Sequence, residues 1–204
     1  MEPLFDFRGR VLPIGTGLTT NAIVDGLLRL HACNKHHAKP ITIYVVGGTN
    51  DPALSPVEAM LIMGVMRIVR SPMRMVGLGI LSGWQPLLLA CGTNGQRYLL
   101  RQTLVSVAPP DWNHGLPKTV IGLHQSAHEP AQHRTERLLQ QQHLELLAEL
   151  KLPVDLFTSH QVLDSKAAVA RGLADQVVER ILNPKLSPAL TPDSQKFFAY
   201  EAQH

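Results

Sequence analysis

The residues best placed to do chemistry are Leu81-Ser82-Gly83-Trp84, where an apolar stretch meets a glycine turn and a short apolar run follows. A strand that turns sharply into a buried helix aims the free N–H groups of the helix start at the turn. Such a turn can hold a nucleophile or an oxyanion site, so its residues decide which reaction is possible. Ser82 supplies the one hydroxyl of the turn. A serine nucleophile needs a base within hydrogen-bond reach. The next strand ends Ser106-Val107-Ala108 without a histidine. The nearest histidines beyond it, His114 and His124, fall on a loop and past a further strand.

Metal chemistry finds less to work with. Five histidines fall between 114 and 143: His114, His124, His128, His133 and His143. The string H-E-P-A-Q-H at 128–133 imitates a zinc peptidase motif and fails it twice. Its spacing is one residue too long to keep both rings on one helix face, and Pro130 breaks the helix the motif requires. Met60, Met63, Met66, Met73 and Met75 read as gap-fillers of a buried core. Cys33 and Cys91 lie in apolar helical patterns without C-x-x-C spacing and read as reduced core thiols of an intracellular protein. No metal and no cofactor is expected.

The elements that must position the turn are legible around it. Arg74–Leu81 is nearly free of polar side chains and fits a strand covered on both faces. Gly77, Gly79 and Gly83 allow close approach and a sharp turn. Trp84–Cys91, with Pro86 near its start and Gly92 past its end, is a short helix. Thr103–Val107 returns as a β-branched strand. Upstream, Thr19–Cys33 is helical, with Thr20 or Asn21 as cap and Ile23, Leu27 and Leu30 on one face. Ile41–Val46 is a strand. Ser55-Pro56-Val57-Glu58 spells a capping box with proline at the first helical position. That helix runs to about Arg70, with Val57, Met60, Leu61, Gly64, Val65, Ile68 and Val69 as its expected core face.

Downstream, Lys118–Leu123 is a candidate strand, and a helix is expected from near Pro130 to Leu150. Leu139, His143, Leu146, Leu147 and Leu150 share one side of it, while Gln140–Gln142 and Glu145 face away. Lys151–His160 is loop or a helix end, Ser165–Gly172 a helix and Asp175–Leu182 the last core strand. A proline-marked tail covers 183–204, with Phe197, Phe198 and Tyr200 able to dock.

At 204 residues the chain suits one domain, here 1–182, with a sizeable core. Hydrophobic residues make up 45% and charged ones 17%, an ordinary globular balance. No apolar run reaches the length of a membrane span, and residues 1–20 do not read as a signal peptide. A net charge of +3 without a basic cluster does not argue for nucleic acid.

The run LLLACGTNGQRYLL (87–100) resembles the Clp peptidase family (ClpP), barrel-forming serine peptidases of the crotonase-like fold. That family carries a leucine-rich helix and then A-A-G-T-x-G-x-R-[FY]-x-L. LDSKAAVARGLADQVV (163–178) is similar to its closing A-x-E-A-x-x-[YR]-G-L-x-D-x-[VI]. By element order the resemblance covers about 20–182. It implies an α/β fold of repeated β-β-α units with a protruding strand-helix handle at about 109–150. It also implies seven-membered rings stacked in pairs and an AAA+ unfoldase as partner.

Laid on the family pattern, the catalytic serine falls on Gly83, the histidine on Ala108 and the acid on Leu156, with Asp155 beside it. The family's S-P-G-G-S, which supplies oxyanion donors, is replaced by VVGGTNDPALS, in which Gly47 and Gly48 come early and about four extra residues precede Ser55. Trp84 would complete the oxyanion region. The N-terminal arm that gates the family's axial pore looks cut short, since Phe5–Val11 leads straight into the first core strand. Tyr44, Tyr98 and Leu100 match positions that line the family's unfoldase-docking pocket, and core packing explains them equally well. The handle histidines would be solvated or ring-facing, and their protonation would make assembly acid-sensitive.

Three readings follow. The first is a non-catalytic, ClpR-like subunit beside catalytic ClpP-type subunits in a mixed ring, as known from cyanobacteria and plastids. Its place would be the plastid stroma in a plant or alga and otherwise the cytoplasm. The second is a divergent serine peptidase using Ser82, a distal histidine and Asp155. The third is a crotonase-type acyl-CoA enzyme. No nucleic acid or membrane partner is implied.

Overall fold

The structure, a computed structural model, describes residues 10–15, 18–32, 39–48, 54–110, 112 and 131–179, and of 131–135 the backbone alone. The elements run β1 (Val11–Ile14), α1 (Thr20–Ala32), β2 (Ile41–Gly47), α2 (Pro56–Ile68), β3 (Met73–Leu81), α3 (Gln85–Ala90), β4 (Arg97–Leu100), β5 (Leu104–Val107), α4 (Ala131–Leu150), a 3-10 turn (Val154–Phe157), β6 (Gln161–Asp164), α5 (Ser165–Ala170) and β7 (Gln176–Val178). This is the expected α/β architecture, strands alternating with helices around one largely parallel sheet.

The sheet is ordered β1-β2-β3-β4-β7, and every neighbouring pair in that row is parallel. β3 organises it. Its first half pairs with β4 through Met75–Gly77, and its last two residues pair with β5 through Ile80 and Leu81. The return strand expected over 103–107 is β5, preceded on the same side of β3 by β4. β4 was not anticipated. Thr103, almost fully buried, fills the break between them by donating its hydroxyl to the Gly77 carbonyl at 3.1 Å. β6, which falls between the expected loop to His160 and the expected helix from Ser165, closes this edge antiparallel to β5.

Alternation along the strands makes two apolar faces. Leu12, Ile14, Ile41, Ile43, Val45, Met73, Met75 and Leu99 join the main core with the helices. Tyr44, Val76 and Leu78 form a second cluster on the other face, packed by Val11, Val46, Tyr98 and Leu100.

Two local expectations are corrected. The cap of α1 is Thr19, not Thr20 or Asn21: the Ala22 N–H donates to the Thr19 hydroxyl oxygen at 3.3 Å. Thr20 turns instead to α2 and donates to Glu58 Oε1 at 3.0 Å. The capping box at Ser55 and Glu58 forms in both directions, but the helix it starts buries a different face. Ala59, Ile62, Met63 and Met66 face inward with Val65 and Val69, whereas Val57, Leu61 and Ile68 are exposed. Glu58 bonds to both Thr20 and Ser55, and this fixes the rotation of the helix and turns Val57 and Leu61 outward. α4 lies as expected, with Leu139, His143, Leu146 and Leu147 buried and Gln140–Gln142 and Glu145 exposed. The expected strand at Lys118–Leu123 and the tail lie outside the described residues.

Candidate functional site

The turn at 82–84 is built by glycine at each place where another residue would collide or strain. Gly47 and Gly79 sit opposite one another at the ends of β2 and β3. A Cβ on Gly47 would stand 2.0 Å from the Ile80 carbonyl oxygen, and one on Gly79 2.3 Å from that of Gly47. Gly83 holds a left-handed φ of +59°, yet no heavy atom lies within 4 Å of where its Cβ would be. Its backbone is therefore unusual while the space in front of it is open.

Gln85 closes the turn. Its Oε1 accepts the Ser82 N–H at 3.0 Å, its own N–H donates to the Ser82 carbonyl at 3.1 Å, and its Nε2 donates to the Val46 carbonyl at 3.2 Å. One side chain thus ties the start of α3 to the end of β2. Ser82-Gly83-Trp84-Gln85 carries the S-x-x-Q spacing of a capping box, a signal that could have singled out Gln85.

Ser82 is exposed, and among the described residues no hydrogen bond joins its hydroxyl to a histidine. His114 and His124 lie outside the described residues. Ala108 is half-buried just past the end of β5. Leu156 is fully buried in the main core, within the 3-10 turn. Asp155 points the other way, into solvent, where Arg171 Nη1 approaches its Oδ2 at 3.4 Å. Of the oxyanion candidates, Gly47 ends β2, Gly48 follows it exposed, and Trp84 precedes α3 with its ring buried. Residues 49–53 of the altered segment lie outside the described residues.

Behind the turn stands an aromatic cluster that no sequence pattern announced. Trp84 and Trp112 meet edge to face at 5.7 Å between ring centroids. His143 of α4 packs edge-on against Trp84 at 5.7 Å, Trp112 at 5.4 Å and Phe157 at 5.7 Å. These four rings come from the residue after Gly83, the segment after Ala108, the handle helix, and the residue after Leu156. His143 is buried, and among the described residues its Nδ1 has no hydrogen-bond partner. Burial pushes its pKa down from 6.5 to about 4. His143 thus lies on the buried side of α4, as its place with Leu139, Leu146 and Leu147 implied, and is not a solvated handle histidine. His128 lies outside the described residues, and of His133 only the backbone is described.

Tyr44, Val76, Tyr98 and Gln176 form one cross-strand row through β2, β3, β4 and β7. Tyr44 and Tyr98 therefore flank Val76 on the sheet face opposite the helices, with Leu100 two residues beyond Tyr98 on the same strand. Tyr44 is buried, whereas Tyr98 and Leu100 are half-buried. Cys91, packed against the main core, has its thiol pushed up to about 12 by burial, which makes it inert as a nucleophile at neutral pH. No helix among the described residues is long and apolar enough to cross a membrane.

Comparison with known proteins agrees with this architecture. Residues 13–181 match the family described as Clp protease. The chain is 30% identical over 178 residues to the ATP-dependent Clp protease proteolytic subunit 2 of Streptomyces avermitilis, covering 85% of this chain and 84% of that protein. It is 34% identical over 106 residues to the protein of the same description from Gloeobacter violaceus, covering 50% and 46%. The matched span runs from β1 past the end of β7 and takes in the turn at Gly83 and all four rings behind it. The chain belongs to the Clp protease family.

Proposed function

We propose that this chain is a non-catalytic, ClpR-like subunit of an ATP-dependent Clp-type protease, holding a place in a mixed ring beside catalytic subunits. The observation that carries the reading is the pairing of a retained turn with the loss of its chemistry. The strand, glycine turn and buried helix are all present, while Gly83, Ala108 and Leu156 stand where the family resemblance puts the serine, histidine and acid. A hydroxyl at Ser82 that no histidine among the described residues bonds to remains a weak nucleophile.

Two surfaces support a role in assembly. Val57, Leu61, Gly64 and Ile68 recur at helical spacing along the outward side of α2, with Val57, Leu61 and Ile68 each at least 46% exposed. No heavy atom lies within 4 Å of a Cβ built on Gly64, so the ridge has a notch at its middle. An apolar ridge of this kind is suited to packing against a neighbouring subunit. The row of Tyr44 and Tyr98 with Leu100 nearby is suited to receive apolar loops of an AAA+ unfoldase.

The test is purification from the native host with identification of the co-migrating subunits, together with a fluorophosphonate probe. Co-migration with catalytic Clp subunits and no labelling of this chain are expected. Labelling at Ser82 would establish the divergent serine peptidase instead, and migration as a homo-oligomer alone would remove the mixed-ring reading.

A further inference from the structure

His143 sits on the handle helix, yet its ring is held by residues from the active-site turn and from the segments on either side of it. Trp84, Trp112 and Phe157 surround it edge-on at 5.4 to 5.7 Å. The side chain is 5% exposed, and among the described residues its Nδ1 has no partner. A structural aromatic position would be filled equally well by phenylalanine, without the cost of an unsatisfied buried nitrogen. We propose that His143 is a proton-operated latch: neutral, it seats α4 against the turn at Gly83, and protonated, it leaves the aromatic cage and frees the helix.

Among the described residues, no carboxylate faces the ring to balance a buried imidazolium. On α4 itself, Glu145 bonds to Gln141 and Glu149 pairs with Arg67, and both carboxylates face solvent with Arg137. Glu136 lies on the side of His143 but two helical turns away, about 10 Å along the axis. On the 3-10 turn Asp155 is exposed and paired with Arg171, and Lys151 before it is exposed. The Trp84 turn and the described residues of 108–112 carry no charged side chain. Ring faces attract a cation, but burial dominates and lowers the pKa of His143 to about 4. The released ring regains the ordinary value near 6.5, so each pH unit between about 6.5 and 4 favours the released state about tenfold. The latch operates whether or not the chain cleaves peptides.

The chain contains two tryptophans, Trp84 and Trp112, and both touch His143. Intrinsic tryptophan emission therefore reports on the cage alone. We would titrate the whole protein and His143→Phe from pH 7.5 to 4, following emission, far-ultraviolet circular dichroism and amide exchange of α4 corrected for its intrinsic pH dependence. The wild type is expected to change emission and lose α4 protection with helix content held, and His143→Phe to do neither. The same change in both proteins, no change in the wild type, or loss only with global unfolding would overturn the latch. If His143→Phe does not fold, nitrogen-15 imidazole signals of the wild type decide. A His143 titration coincident with the emission change supports the latch, and a titration near 6.5 without one refutes it.

Discussion

Arg97 and Asp175 clasp each other across 78 residues of sequence, with Nη2 2.6 Å from Oδ1 and Nε 3.0 Å from Oδ2. The Arg97 backbone N–H adds a third bond to Oδ2 at 2.9 Å, and its Nη1 reaches the Gly172 carbonyl at 3.1 Å. Both side chains are largely buried. The clasp joins the start of β4 to the lead-in of β7, so it holds that edge of the sheet together. Burial works to raise the Asp175 pKa, but the hydrogen bonds and charge of Arg97 outweigh it and hold the carboxyl below its ordinary value.

Asp175→Ala should therefore lose about 3–5 kcal/mol, because it leaves a buried guanidinium without its partner. Urea unfolding of the two proteins at neutral pH measures this. The pH dependence follows in sign. A depressed folded-state pKa gives stability that is present above the unfolded value, about 3.9, and is lost as pH falls through the folded one. Wild type should lose this contribution on acidification, and Asp175→Ala should show a correspondingly shallower acid loss.

If Gly83 and Leu156 occupy the family's serine and acid positions, as proposed, restoring those two side chains should have opposite consequences. Gly83 has open space in front of it, so Gly83→Ser meets only the strain of a left-handed backbone, about 1–2 kcal/mol. Leu156 is fully buried, and Leu156→Asp would place a carboxylate in the core without a cation. That variant should lose several kcal/mol or fail to fold. Thermal melts compare them. Gly83→Ser alone should remain unlabelled by fluorophosphonate, since Ala108 supplies no base.

Gln85 makes a separable prediction. Its side chain satisfies the Ser82 N–H and the Val46 carbonyl. Gln85→Ala should lose about 1–2 kcal/mol, and Gln85→Glu should keep the first bond while losing the second. Amide exchange at Ser82 should speed up in Gln85→Ala and stay slow in Gln85→Glu.

Ile68→Lys and Leu61→Lys change exposed positions of α2 and should leave monomer stability within about 0.5 kcal/mol. If the ridge packs against a neighbouring subunit, either change should weaken co-migration with Clp partners on size exclusion. Unchanged co-migration would place the contact elsewhere.

The sequence revealed the turn because its signals are local: a glycine after an apolar strand, a proline at a helix start, the capping box at Ser55 and Glu58. It revealed β3 and α4 because long apolar periodicity survives any context. β4 and β6 were missed because each is four residues long, too short for alternation to stand out from a loop. The face of α2 was misjudged because apolar residues occur all around that helix, and the bond from Thr20 that fixes its rotation comes from another element. The cage around His143 was invisible for the same reason. Its four rings come from positions 84, 112, 143 and 157, and only the fold makes them neighbours.

The outward ridge of α2 also bears on how much of this protein a cell can hold. A copy made in excess of whatever covers Val57, Leu61 and Ile68 carries those side chains into water, where they favour self-adhesion and recognition by chaperones and degradative machinery. If neighbouring subunits cover this ridge, as proposed, the supply of those neighbours rather than this chain's own synthesis sets its steady-state level.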